Sequence, residues 1–204
     1  MKRFIIIAAA LLVAVAPLGA QTKSELRSAK SDASSAAKSI KKDGFKMVEL
    51  GDLQSRLEQF FLKVNSGCTQ IVGMAENCVS ANLAKVTALN NAANEYATNA
   101  GGAVRGRITS DVSSITGEQV DAIVAAYERI IYKEIQGELV PYVNLLKTRR
   151  KGGYDARVYC LVDLNGAHQA RLRAMERALE ETSFAERYGS QVSNWIDEGF
   201  DKMN

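Results

Sequence analysis

Few residues in this chain could do chemistry. His168 is the one histidine in 204 residues, and Cys68, Cys78 and Cys160 are the only thiols. A single imidazole excludes any site built on two histidine ligands. A zinc site would have to draw on cysteine and carboxylate, and Cys68 and Cys78 lack the close pairing of a structural zinc motif. There is no G-x-S-x-G elbow, phosphate loop or dinucleotide fingerprint, and Gly101-Gly102 with Gly106 is too sparse to cradle a phosphate. Glu180-Glu181 and Asp197-Glu198 are carboxylate pairs on faces that helical spacing leaves exposed, where solvation explains them more simply than acid–base work. His168 falls in the first turn of a predicted helix, where a surface role is the plain reading. The expectation is a non-enzyme with no catalytic residue, no metal and no cofactor. The enzymatic alternative is a hydrolase of unfamiliar type, which would need a serine, His168 and a carboxylate to converge.

One charge cluster stands out: Lys147, Arg149, Arg150 and Lys151. On a hairpin tip these cations would project toward lipid headgroups, lipopolysaccharide phosphates, polysaccharide or an acidic protein patch. They are the candidate partner-binding residues. The plainer alternative is a solvated turn that guards a strand end against edge pairing. Arg171, Arg173 and Arg177 are candidates to extend the positive region. Trp195 and Phe200 either dock a partner or, at helical spacing, fill the core.

The N-terminus is laid out for export. Lys2 and Arg3 precede an apolar run from Phe4 to Val15, Pro17 breaks it, and Leu18-Gly19-Ala20 ends on a small residue before Gln21. That is the pattern of a secretory signal peptide over residues 1–20, and the run is short of the roughly 20 residues of a permanent span. The mature protein is expected in the periplasm or associated with the outer membrane, without a transmembrane span. The chain has 26 Lys and Arg against 23 Asp and Glu, and two of those cations are Lys2 and Arg3, so cleavage leaves it nearly neutral. A neutral domain argues against a nucleic-acid partner. Export permits a disulfide, but three is an odd number of thiols. Cys68 and Cys78 would face each other across a hairpin at Gly73, or lie ~33 Å apart on one straight strand. Val72-Gly73-Met74 lacks strong turn chemistry, and Cys160 reads as a buried thiol.

The elements follow from periodicity. Residues 21–44 form an N-terminal helix or arm, with Leu26, Ala29, Ala33, Ala36 and Ile40 as a thin apolar seam. It either leans on the domain or frays. Phe45–Leu50 alternates as a short strand, and Asp52 caps a helix carrying Leu53, Leu57, Phe60, Phe61 and Val64. A second strand spans Thr69–Glu76. From Ala81 to about Val112 an Ala-rich helix presents Leu83, Val86, Leu89, Ala93, Tyr96, Ala97, Ala100, Val104 and Ile108. Its small residues suit close approach to a sheet, and Gly101-Gly102 marks a break, a kink or an unusually tight contact. Thr116-x-x-Gln119 has capping-box spacing before a helix with Val120, Ile123, Val124, Tyr127, Ile130, Ile131 and Ile135. Leu139–Arg149 and Tyr154–Leu164 flank Gly152-Gly153 as a hairpin, with Pro141 at an edge or strand start. On the second strand Tyr154, Ala156, Val158, Cys160, Val162 and Leu164 share the apolar side, while Tyr159 and Leu161 imply that the other side is partly covered. Asn165 caps a helix with Leu172, Met175 and Leu179, and a last helix carries Phe184, Tyr188, Trp195 and Phe200. The class is α+β: a small, mostly antiparallel sheet covered by long Ala-rich helices on at least one face, with further helices at both ends. Residues 45–204 form a single domain.

The stretch TQIVGMAENCVSANLAKVTALNNAANEYA resembles the twenty-kilodalton outer-membrane lipoprotein family and the related N-terminal module of flagellar T-ring proteins. The shared features are a strand ending near a glycine, here Gly73, a short polar loop, and a helix with Ala81, Ala84, Ala88, Ala92, Ala93 and Ala97. The strand pair around Tyr154–Leu164 extends the likeness over residues 45–164. The resemblance implies a compact envelope module used for binding or assembly, with no active site to carry over. This chain lacks a lipid-acceptor cysteine near the cleavage point and adds helices at both ends. The functional expectation is an exported, non-catalytic binding or scaffold protein whose partner is an envelope protein or an anionic envelope surface. The alternative is a periplasmic module for a small ligand or peptide, which would need an apolar pocket between helix and sheet.

Overall fold

The computed structural model describes residues 22–112 and 115–182. The export segment and the terminal helix expected around Phe184, Tyr188, Trp195 and Phe200 lie outside the described residues. The element order is α1 (Lys23–Lys42), β1 (Lys46–Met47), α2 (Leu53–Asn65), β2 (Cys68–Cys78), α3 (Ala81–Asp111), α4 (Gly117–Gln136), β3 (Val140–Thr148), β4 (Tyr154–Asp163) and α5 (Leu164–Glu181). The four strands form one antiparallel sheet in the order β1-β3-β4-β2. The fold is α+β, as expected, and the sheet is covered on both faces.

Local chemistry sets most boundaries. α1 and α4 each open on a capping box, Thr22 with Glu25 and Thr116 with Gln119, in which side chains satisfy backbone groups the helix leaves open. Asp52 caps α2 through the Ser55 amide at 2.8 Å. α5 starts earlier than expected. Asp163, not Asn165, is its cap, accepting from the Gly166 amide at 2.9 Å, so Leu164 leaves the strand and is exposed. The hairpin forms as read: Gly152 and Gly153 both adopt φ +89°, a region other residues enter at a steric cost. Pro141 sits near the start of β3.

β2 bears out the strand read through Gly73 and decides against the hairpin alternative there. It runs from Cys68 to Cys78 through Gly73, paired with β4 from Cys68 to Ala75 and again at Cys78, with a bulge between. Gly73 therefore neither ends a strand nor turns a hairpin. Cys68 and Cys78 lie at opposite ends of this strand, and both thiols are free. Gly73 instead admits α3: a Cβ there would lie 1.8 Å from the Ala88 carbonyl oxygen and 2.8 Å from the Ala92 nitrogen. Ala84, Ala88, Ala92 and Ala93 are completely buried at this contact. Leu83 and Val86, expected on the same stripe, are instead exposed. The alanines take the sheet side because only they let the backbones close.

α3 passes through Gly101-Gly102 without a break. Gly101 is a tight contact with α4, since a Cβ there would meet Glu128 Oε1 at 2.2 Å, whereas Gly102 has nothing within 4 Å. Gly102 is exposed within the helix, so Gly102→Ala should stabilise the protein by about 1 kcal/mol. A melting temperature raised by roughly 2–4 °C would register it; a lowered one would show that the helix needs glycine there.

Two cores result. The larger joins α3, α4 and α5 to one face of the sheet, with Ile71, Ala75, Val158, Cys160 and Val162 beneath Ala88, Tyr127 and Met175. The smaller lies on the other face, where Ala33, Ala37 and Ile40 of α1 and Leu53 and Leu57 of α2 meet Val143 and Leu145. α1 is thus docked, with Ala37 rather than Ala36 fully inside and Leu26 exposed. Phe60 anchors this face, its ring 5.6 Å from Tyr159 and 5.9 Å from Tyr142.

Backbone groups left open on β3 past the short β1, and on the outer strand β2, are satisfied by neighbouring residues. β1 is shorter than expected because it pairs with β3 only at Leu145 and Leu146. Beyond that, the Val48 amide donates to the Asn144 carbonyl at 2.9 Å, and the Glu49 carboxylate accepts from the Asn144 amide at 3.1 and 3.2 Å. Arg56 Nε donates to the Tyr142 carbonyl at 3.1 Å. On β2 the Asn91 side-chain amide donates to the Met74 carbonyl at 2.7 Å. Such caps blunt an edge against strand addition.

Candidate functional site

The basic cluster resolves into two unlike halves. Lys147 lies opposite Asp155 in the β3–β4 register, and its ammonium stands 4.0 Å from the Asp155 carboxylate. Arg149 Nε donates to Asp155 Oδ1 at 2.5 Å, and its terminal nitrogen reaches Glu76 at 3.0 Å. Asp155 also accepts from the Asn77 amide at 2.9 Å, and only 5% of its surface is exposed. Burial alone would raise its carboxyl; the Asn77 amide, Arg149 and Lys147 together outweigh that and hold it below the usual carboxylate range. Lys147 and Arg149, themselves partly exposed, are therefore paired with the buried Asp155, and Arg150 and Lys151 are the exposed cations at the tip.

The arginines of α5 do not extend this region. Arg173 and Arg177 bind Glu134 of α4 at 2.7 and 2.6 Å, and Arg171 donates to the Tyr96 hydroxyl at 2.7 Å. They tie α5 to its neighbouring helices. Cys160 is fully buried, and burial pushes its thiol up to about 11, which makes it a poor nucleophile at neutral pH. His168 is half-buried on α5. Among the described residues no three His, Cys, Asp or Glu side chains cluster as metal ligands, and no helix is long and apolar enough to cross a membrane.

A second polar cleft, of about 210 Å³, lies on the α1 side, lined by residues including Asp43, Phe45, Glu76, Lys147, Asp155 and Arg157. Its charges largely answer one another. Arg157 reaches Asp43 at 3.5 Å and stacks 4.8 Å from the Phe45 ring centre.

The remaining concavity is of another kind. α3 packs on β2 and β4 but scarcely reaches β3, so a groove stays open between them. It holds about 260 Å³, with Val158 as its floor. Asn82, Lys85, Val86 and Leu89 form the helix wall, and Val48, Pro141 and Asn144 the strand wall. Val48 and Val86 are each 48% exposed. Lys85 is half-buried and makes no ion pair among the described residues.

No family model, characterised protein or solved structure matches this chain. The groove therefore has to be understood from its own lining. It was not among the expected site residues. Its sequence signal was a second apolar row, Leu83, Val86 and Leu89, running beside the alanine row of the same helix. The sheet takes the alanine row, Leu89 packs at the margin of the core, and Leu83 and Val86 stay exposed.

Proposed function

We propose that this chain is an exported, non-catalytic binding protein of the cell envelope whose recognition surface is the groove between α3 and β3. What carries the reading is that groove: apolar side chains line an open cleft beside a half-buried lysine. Pockets with apolar walls and few polar groups are the usual form of a ligand site. The export pattern of residues 1–20 and the likeness to outer-membrane lipoprotein and T-ring modules supply the envelope setting. That likeness rests on the Ala-rich helix and the strand pair; the strand end at Gly73 is not part of it, because β2 continues to Cys78.

The test is recovery of native envelope material on the purified protein and on Val86→Glu, a substitution at an exposed position that puts a carboxylate in the groove. The wild type should hold its partner and the variant should lose most of it, on the order of tenfold. Recovery of the wild type only as a free monomer with nothing bound would overturn the reading. A second surface has its own support, since Arg150 and Lys151 face outward at the hairpin tip and would contribute salt-sensitive attraction to an anionic surface. Retention lost on Arg150→Ala/Lys151→Ala and kept on Val86→Glu would place recognition there instead.

A further inference from the structure

We infer that the groove binds a small single-chain amphiphile, with Lys85 taking its carboxylate headgroup and the apolar walls its tail. The inference rests on the reading of this groove as the recognition surface and names its ligand.

Charge points to an anion. Lys85 lies among Val86, Leu89 and Val48, half-buried and without an ion-pair partner among the described residues. Glu49, beside the groove's strand wall, is turned onto the Asn144 amide. A carboxylate at the helix wall would gain a charge-assisted contact with the ammonium, with the exposed Asn82 amide as a neighbouring donor. Size points to one chain: about 260 Å³ lies just under the range of roughly 300–1,000 Å³ that holds drug-sized ligands, and leaves no room for a two-tailed lipid.

Main-chain chemistry argues against the rival occupant, an extended peptide. A peptide strand docks by hydrogen-bonding a free sheet edge. Along β3 that edge is already occupied, the Asn144 carbonyl by Val48, the Asn144 amide by Glu49 and the Tyr142 carbonyl by Arg56. The groove thus presents side-chain surface and one cation rather than a backbone template.

Calorimetric titration of the purified protein with decanoate and with neutral decanol, both below micelle-forming concentration, decides the matter. Decanoate should bind saturably at one site per chain. Lys85→Gln should weaken it at least tenfold and leave decanol unchanged, and Val86→Glu should remove both. Val48→Asp, at another exposed lining position, repeats the second arm should Val86→Glu fold poorly. No saturable decanoate binding, or binding indifferent to all three substitutions, overturns the inference. If decanoate fails while envelope retention still depends on Val86, the binding reading stands and its partner is a protein segment. If both fail, the groove is no recognition surface.

Discussion

Replacing Gly73 by alanine is expected to destabilise the protein by about 3 kcal/mol or more, the upper end of the usual cost of overpacking a core. The added Cβ would stand 1.8 Å from the Ala88 carbonyl oxygen and 2.8 Å from both the Ala88 carbonyl carbon and the Ala92 nitrogen. All three are helix backbone, so no side chain can swing away. Relief requires α3 to lift off β2, which would open the contact of Ala84, Ala88 and Ala92 with the sheet. The melting temperature should fall by roughly 6 °C or more, in contrast to the rise expected for Gly102→Ala at the open position on the same helix. A Gly73→Ala protein within about 0.5 kcal/mol of wild type, the scatter of ordinary surface changes, would mean that α3 does not sit on the strand this closely. The groove depends on the same contact, because the height of α3 above Val158 sets its depth.

That contact was half legible. Alanines at Ala84, Ala88 and Ala92 announce a helix lying close to something, and the sheet was the natural candidate. The strand glycine that receives it was not, since Gly73 inside the strand Thr69–Glu76 carries no local mark of which helix lies on it. The side of α3 was misjudged for a related reason. Hydrophobic periodicity weighs large residues most, so Leu83 and Val86 drew the stripe toward themselves, whereas close packing selected the smallest residues. Where large residues alone decide the face, as on α4, every expected position from Val120 to Ile135 is buried. The caps at Thr22, Asp52 and Thr116 were readable because a cap is a local bargain between one side chain and the next turn. Edge caps were not, because Glu49 and Asn144 meet across 95 residues. The basic cluster misled in the same way: four cations adjacent in sequence become two pairs in space once Asp155 is folded beneath them. The glycine pair did not give this away: a two-residue turn at Gly152-Gly153 would set Arg150 opposite Asp155, whereas the loop that forms is centred on Lys151 and sets Lys147 there.

Asp155 carries the second large effect. Asp155→Asn keeps the shape, and its Oδ1 can still accept from the Asn77 amide and Arg149 Nε, but it turns a donor toward Lys147 and removes the charge that Arg149 and Lys147 face. The loss near pH 7 should be about 2 kcal/mol. Breaking a buried ion pair costs about 3–5 kcal/mol, and the exposure of the Arg149 and Lys147 side chains, 35% and 38%, discounts it. The pH dependence distinguishes this from a mere packing defect. Because folding lowers the Asp155 carboxyl, the folded state binds that proton less readily than the unfolded chain. The ion pair therefore contributes fully above the unfolded value of about 3.9, and its contribution fades as pH falls through the lower folded value. Denaturant melts from about pH 7 to pH 3 should show the gap between wild type and variant holding steady down to about pH 4 and then closing. Both proteins should share a further acid loss from Asp52, whose carboxyl is lowered by the Ser55 amide at the start of α2. A gap that stayed constant to the lowest pH would show that Asp155 is held by its shape alone.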